Sequence, residues 1–432
     1  GVNFATYNTT GYATGANVGG IQAFQAYNNA TVSSTTATGS PVITVGSTFG
    51  LAVGMPVNGL GIPEGATIAA ILTPTTYQLS TAATSAGTNA IQYQYTNINT
   101  AGVTGSASDL IRLAASGNVA TGNTALLTRS VAGILINSAT PVTVNAAGFA
   151  TLTVSNGGLL VAGGTSGSPV THSIGSNLVV LGGNTYDLNL AVDANTTLDV
   201  QGVLRSSFNV TKTLPGTLQL SAKQYFNTGG NWFTVAAGKV ILNAGNNTLY
   251  PGRNMAVGAG ATLDLNGTTQ TIGGLMTPEG ARRYAGGVVT NSSATHANLV
   301  TNNGGSWFFG GVISGNLSFL KAGGGHQVFQ VPQTYTGSTY IGQTQLYLQD
   351  SGTLANTSSI TVNKAELLID NATATTTIND RVNDAAPITL SSGWLMFRGR
   401  VGSQSSETLG VTTLAGGVSA FQAASGGTSG LS

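Results

Sequence analysis

Two groups of ionisable residues stand out in a chain that has few. The first lies in YDLNLAVDANTTLDV, residues 186–200, which brings Asp187, Asp193 and Asp199 close in sequence. Hydrolysis of a glycosidic bond needs two carboxyl groups about 5–10 Å apart, one with a raised pKa. Strands stack about 4.8 Å apart, so acids on adjacent layers could reach that separation. Asp193 precedes Ala-Asn and reads as a turn acid, while Asp187 and Asp199 flank strand patterns. The second group is NDRVNDAAP, residues 379–387, with Asp380, Arg381 and Asp384. A lyase needs a base and a cation to stabilise enolate-like charge. A charged loop that keeps neighbouring strands from pairing wrongly explains the same residues.

The remaining chemistry is sparse. His172, His296 and His326 lie far apart and show no metal-binding spacing. His326 falls in a glycine turn and reads as an exposed polar corner. The chain has no cysteine, which excludes thiol catalysis, disulfides and zinc–thiolate sites. No phosphate loop, nucleotide fingerprint or serine elbow is present. The expected inventory is therefore empty: no catalytic, cofactor-binding or metal residue, no cofactor and no enzymatic activity. Aromatic residues cluster at Trp232–Phe233, Trp307–Phe308–Phe309 and Trp394 with Phe397. Exposed in a row, they could stack on sugar rings; inside a coil, they would stack on each other. Alternation puts Trp307 and Phe309 on one face and Phe308 on the other.

Composition explains the scarcity of ions. Of 432 residues, 62 are Gly and 6% are charged, with a net charge of +1. Globular proteins carry about 25% charged residues. Thr, Asn, Ser and Gln must supply the solvated surface instead. Such a charge gives no field for nucleic acid. No apolar run reaches the ~18 residues of a membrane-spanning helix. The absence of Met at Gly1 suggests a processed chain or part of a longer one.

The elements are strands. Short β-branched bursts recur at 131–136, 141–144, 150–154, 158–162, 178–181, 197–201, 217–220, 239–242 and 262–265, then at 358–362, 365–369 and 387–390. Each is bounded by Gly, Asn or Asp. Hairpin dipeptides are missing, and no linker follows residue 100. A solenoid with one continuous core fits best, with Gly or Asn at corners where φ turns positive. At about 20 residues per layer, the region after residue 100 makes about 16 rungs. VTKTLPGTLQL (210–220) and LSFLKAGGGHQVF (317–329) share a grammar: a strand with Lys, a Gly turn, then an alternating strand.

These residues resemble the autotransporter-associated β-strand repeats of bacterial surface proteins. Ile313, Gly315, Leu317, Phe319, Lys321, Gly323, Gly325, Val328, Tyr335, Thr336, Gly337, Thr339, Ile341, Leu346 and Leu348 follow that pattern. A second match runs from Val210 and Lys212 through Gly216, Leu218 and Leu220 to Val235, Gly238, Val240 and Leu242, and lacks the Tyr-Thr-Gly element. The similarity, which takes in DLIRLAASG (109–117), covers most of residues 100–432 and implies an extracellular parallel β-helix. Residues 40–91 resemble a small β-module of phage tail and bacterial surface proteins. Met55, Val57, Gly59, Gly61, Ile62, Pro63, Gly65, Thr67 and Ile68 carry that likeness.

The expected architecture is all-β. N-terminal strands at 1–34 start the solenoid or serve assembly, a small module is inserted at 35–95, and a parallel β-helix runs over 96–432. The expected role is that of a structural subunit of an extracellular filament, sheath or surface layer. Its partner is a copy of itself, stacked head to tail, because coil ends expose unpaired N–H and C=O groups. The alternatives are an adhesin whose inserted module binds a receptor, glycan or cell surface, and a polysaccharide-cleaving enzyme. Neither nucleic acid nor a membrane span is expected.

Overall fold

The computed structural model describes residues 5–8, 20–23, 30–46, 48, 51, 53, 57–93, 110–113, 117–119, 127–146, 149–182, 187–226, 231–282, 284–302 and 304–426. Met55 and parts of the sequence patterns at 1–4, 109, 114–116 and 427–432 lie outside them. Every described regular element is a strand. The chain divides into two compact units, Gly1–Ser206 and Ser207–Ser432.

The first unit contains two kinds of sheet. Ala5–Asn8 and Gly20–Ala23 pair antiparallel with each other, unlike a solenoid rung. A six-stranded antiparallel sheet then runs from Ala30–Thr36 to Gly87–Tyr93. Its first strand starts before the expected module boundary at residue 35. Alternation in Val42–Val45 and Thr76–Leu79 buries Ile43, Val45, Tyr77 and Leu79, which pack with Val57 and Ile91 as a separate core.

The rest of the first unit is parallel. Gly117–Val119, Thr143–Ala146, Val170–Ile174 and Thr196–Val200 stack in register in one sheet. In the other, Leu127–Asn137 lies between Leu110–Leu113 and Ala150–Ala162. The two bursts expected at 150–154 and 158–162 are one strand, Ala150–Ala162. Gly157 lets it bend, with φ at +69°, where a Cβ would strike the carbonyl of Asp187. Beyond the bend the strand changes partner, pairing first with Leu178–Gly182 and then with Leu188–Val192.

The second unit repeats this parallel coil. In one sheet Thr269–Ile272, Ala297–Asn302, Leu317–Ala322, Thr339–Gly342, Ile360–Asn363, Ile388–Ser391 and Thr412–Gly416 succeed one another. A second sheet holds Trp307–Phe309, His326–Phe329, Gln345–Leu348, Glu366–Asp370, Trp394–Arg398 and Ala420–Ala424. Inward positions form apolar ladders such as Leu346, Leu367 and Leu395. Rungs match the twenty-residue expectation where the repeat pattern is clearest: Ala297 pairs with Leu317, and Phe319 with Thr339. Elsewhere the corners carry longer loops, as between Thr269 and Asn298 or Ile360 and Ile388. The same length of chain therefore makes fewer rungs than a uniform count gives.

Candidate functional site

The coil explains why its ions are where they are. A corner turns backbone carbonyls toward the interior, and each needs a donor once buried. Lys212 lies near the end of the strand Val210–Thr213, and its ammonium donates to the carbonyls of Thr213 at 2.9 Å, Leu214 at 2.7 Å and Ala237 at 3.1 Å. Leu214 has a φ of 64°. Lys321 does the same for Ala322 at 2.7 Å and Gly324 at 3.1 Å, beside left-handed Gly323 and Gly325. Both side chains are buried, and burial pulls each pKa down to about 8. The Lys-then-Gly spacing shared by the two sequence echoes is thus a corner clamp. Arg253, also buried, reaches the carbonyls of Phe208 at 2.9 Å and Trp232 at 2.7 Å and lies over the Phe226 ring. Asp264 is buried against Lys239 at 2.7 Å. Burial pushes its carboxyl up, but Lys239, Ser292 and two backbone amides outweigh that and hold it below its ordinary value.

The cluster at 379–387 is reassigned by the structure. Arg381 is not a loop charge: it is 0% exposed. Its guanidinium donates to the carbonyl of Gly352 at 2.6 Å, the carbonyl of Asp350 at 2.7 Å and Asn371 Oδ1 at 2.9 and 3.1 Å. Asp384 stays exposed, and Asp380 accepts the amide of Thr408 at 3.0 Å. Sequence reasoning missed Glu407. Its two carboxylate oxygens accept the amides of Arg381 and Val382, each at 2.9 Å, as the next strand of the coil would. Burial pushes this carboxyl up to about 7 against the pull of those two amides. A cleft of about 120 Å³ lies nearby, lined by Tyr284, Asp350, Ser351, Ala374, Thr375, Thr376 and Ile378. It has room for a few waters.

The acids at 187–199 are spread out by the winding. Asp193 opens the turn to Thr196, with Asn195 at φ 57°. Asp187 precedes a strand of one sheet, and Asp199 lies in a strand of the other, where it accepts from Gln201 at 2.9 Å. The histidines differ from one another. His172 is fully buried; it accepts the Val142 amide at Nδ1, so Nε2 carries the proton and donates to the Ala162 carbonyl. Burial holds its pKa below the ordinary value. His326 is no exposed corner but the first residue of a strand, stacked on Tyr347 at 4.7 Å.

His296 makes a set that sequence spacing concealed. Asn316 Nδ2 donates to the Ala294 carbonyl, which turns Asn316 Oδ1 toward His296 Nδ1 at 2.8 Å. That nitrogen then carries the proton, and Nε2 accepts from Ser318 Oγ at 2.9 Å. Hydroxyl, imidazole and orienting amide stand in nucleophile–base order. Ser318 is only 6% exposed, however, and the Ser338 amide donates to its oxygen at 3.0 Å. The oxygen is held in the sheet rather than presented. Among the described residues no group of three His, Cys, Asp or Glu could hold a metal ion. Among the described residues no helix is long and apolar enough to cross a membrane.

The distinctive end feature is the last described rung. Leu414 continues the ladder of Leu390, and Phe421 that of Leu395. Leu390 and Leu395 are 0% and 4% exposed, whereas Leu414 and Phe421 are 64% and 52% exposed. Their strands stand last in their sheets.

No protein-family model matches the chain. Over 162 aligned residues it is 29% identical to the serine protease EspP of Escherichia coli and of Escherichia coli O157:H7. The alignment takes in 34% of this chain and 11% of each relative, so the chain spans about a tenth of the curated relatives it matches. This finding overturns the expectation of a chain set apart from enzymes, since both of these relatives are named for proteolysis. Joined to the parallel coil, the likeness supports an autotransporter-like β-helix.

Proposed function

We propose that the chain is a structural, rung-stacking part of a secreted or surface-exposed bacterial protein. In this reading its last described rung accepts the first rungs of another copy, head to tail. The observation that carries this is the in-register parallel coil, in which each rung is completed by the next, as Leu390 is by Leu414 and Leu395 by Phe421. Covering such a side chain contributes about 1.5–3 kcal/mol, and a docked strand would also pair the open backbone edge. Glu407 supports the reading from the other side. It caps the column that, among the described residues, ends at Val382, so that column needs no further strand. Likeness to EspP over about a third of the chain supports a location outside the cell.

Sedimentation velocity of the full chain over a wide concentration range tests this. We expect growing assemblies that Leu414→Asp and Phe421→Asp each reduce to monomers. Monomers at every concentration contradict the reading, as does a longer native chain whose own next rungs cover Leu414 and Phe421.

A second reading, binding through the antiparallel module, is favoured by its exposed Val53, Leu60 and Leu72. Deleting residues 30–93 should then abolish adhesion to cells while the coil remains folded; unchanged adhesion contradicts it.

A further inference from the structure

The hydroxyl of the His296 set is buried, but a second serine–histidine pair lacks that defect. Ser306 Oγ lies 3.0 Å from His326 Nδ1, and Ser306 is exposed. The two are 20 residues apart in sequence and sit side by side on successive rungs, since the register pairs Trp307 with Gln327. Gly304 and Gly305 precede the serine; Gly323, Gly324 and Gly325 precede the histidine. The turns fit closely, because a Cβ on Gly325 would strike the Gly305 carbonyl.

The imidazole is fixed from both sides. It stacks on Tyr347 of the following rung at 4.7 Å and meets Phe308 of the preceding rung edge-on at 6.2 Å. A base that activates a nucleophile has to be oriented by a third group, and here ring packing supplies the orientation. Nδ1 faces the hydroxyl, while Nε2 has no hydrogen-bond partner among the described residues. The tautomer with its proton on Nε2 therefore costs no bond and leaves Nδ1 able to accept from Ser306. Burial and the charge of Lys321 both hold His326 below its ordinary pKa, so the ring is a neutral base at pH 7.

These groups can carry out acyl transfer. Ser306 Oγ attacks an ester carbonyl carbon as Nδ1 takes its proton. The oxyanion forms in the field of Lys321, whose ammonium is anchored to the Gly324 carbonyl at 3.1 Å. When the ester C–O bond breaks, the leaving alkoxide takes the proton from Nδ1 and an acyl-serine remains. Water, giving a proton to Nδ1, then releases the acid and restores Ser306. An alkoxide leaves more readily than an amine, so esters rather than peptides suit one imidazole and one cation. Phe308, 44% exposed beside the pair, offers apolar contact to a few acyl carbons. We propose that Ser306 and His326 form a nucleophile–base pair that cleaves short-chain acyl esters. The pair lies on rungs away from Leu414 and Phe421, so it stands independently of end-to-end stacking.

The test treats the full chain with a fluorophosphonate probe, which phosphonylates activated serines, and locates the label by peptide mass spectrometry. We expect label at Ser306 and none at buried Ser318. His326→Phe keeps a ring between Phe308 and Tyr347 but removes the base; it should slow labelling of Ser306 by about 100-fold with unchanged circular dichroism. p-Nitrophenyl acetate should be hydrolysed through an acetyl group detectable on Ser306. Ser306→Ala, which retains His326, should lose most of that hydrolysis. The proposal fails if Ser306 takes no label, if His326→Phe is labelled as fast as wild type, or if Ser306→Ala hydrolyses the ester at the wild-type rate.

Discussion

Replacing Arg381 by Met removes every donor of a buried guanidinium while keeping an unbranched side chain in its place. Two acceptors, the carbonyls of Asp350 and Gly352, lose these donors outright, and Asn371 Oδ1 loses two bonds and keeps the Ile378 amide at 3.2 Å. A buried acceptor left alone costs about 1–3 kcal/mol. Against that stands relief from burying a charge, which already pulls the pKa of Arg381 down. The net loss should be about 3 kcal/mol. In a stacked coil each rung touches only its neighbours, so the loss stays local. Hydrogen exchange read by mass spectrometry should show about 100-fold faster exchange at the Ser351 and Leu354 amides, which bond to the Gln330 and Arg381 carbonyls. Exchange in Val210–Thr213 should stay unchanged. Arg282→Met, at an exposed position, should change stability by less than about 0.5 kcal/mol. The reasoning is refuted if Arg381→Met matches wild type within about 0.5 kcal/mol, or if protection falls evenly along the chain.

Further outcomes follow from the same geometry. Lys212 and Lys321 have folded pKa values of about 8, below the ordinary 10.5. Between those values the unfolded chain binds more protons, so stability should rise as pH goes from 8 toward 10. Urea midpoints should show that rise, and Lys212→Met/Lys321→Met should flatten it. Glu407 has the opposite sign: its folded pKa of about 7 lies above the ordinary 4.5, so its contribution to stability grows as pH falls from 7 to 4.5. A Glu407→Gln variant should lose that component of the pH profile in thermal melts. Gly157→Ala should lower stability by about 2–4 kcal/mol, because a Cβ meets the Asp187 carbonyl at a left-handed φ; a wild-type melting curve would contradict the bend. The antiparallel module has its own core, so residues 30–93 expressed alone should unfold cooperatively in urea rather than remain without structure.

Much of the coil was legible because its rules are local. The alternating bursts at 217–220 and 239–242 are strands at those positions, and they pair in register. The Trp-Phe-Phe run divides as alternation requires, with Phe309 in the core and Phe308 outside. Corners were harder to read. Nothing local marks Asn156–Gly157 as a bend within a strand rather than a break, since that depends on the rung above. Arg381 looked like a surface charge because the carbonyls it serves, at 350 and 352, lie a full turn away in sequence. Glu407 and the His296–Asn316–Ser318 set were invisible for the same reason: neighbours on successive rungs are twenty or more residues apart. The Lys-Gly echo was visible, but its meaning as a carbonyl clamp required the fold. Enzymatic relatives could not be read from a chain whose acids looked structural.

The stacking claim is tested most directly by cryo-electron microscopy of the full chain at high concentration. The account predicts filaments in which the layer spacing of about 4.8 Å continues unbroken across the junction beside Leu414 and Phe421. Particles that stay single, or contacts made elsewhere with those two side chains still in water, would contradict it.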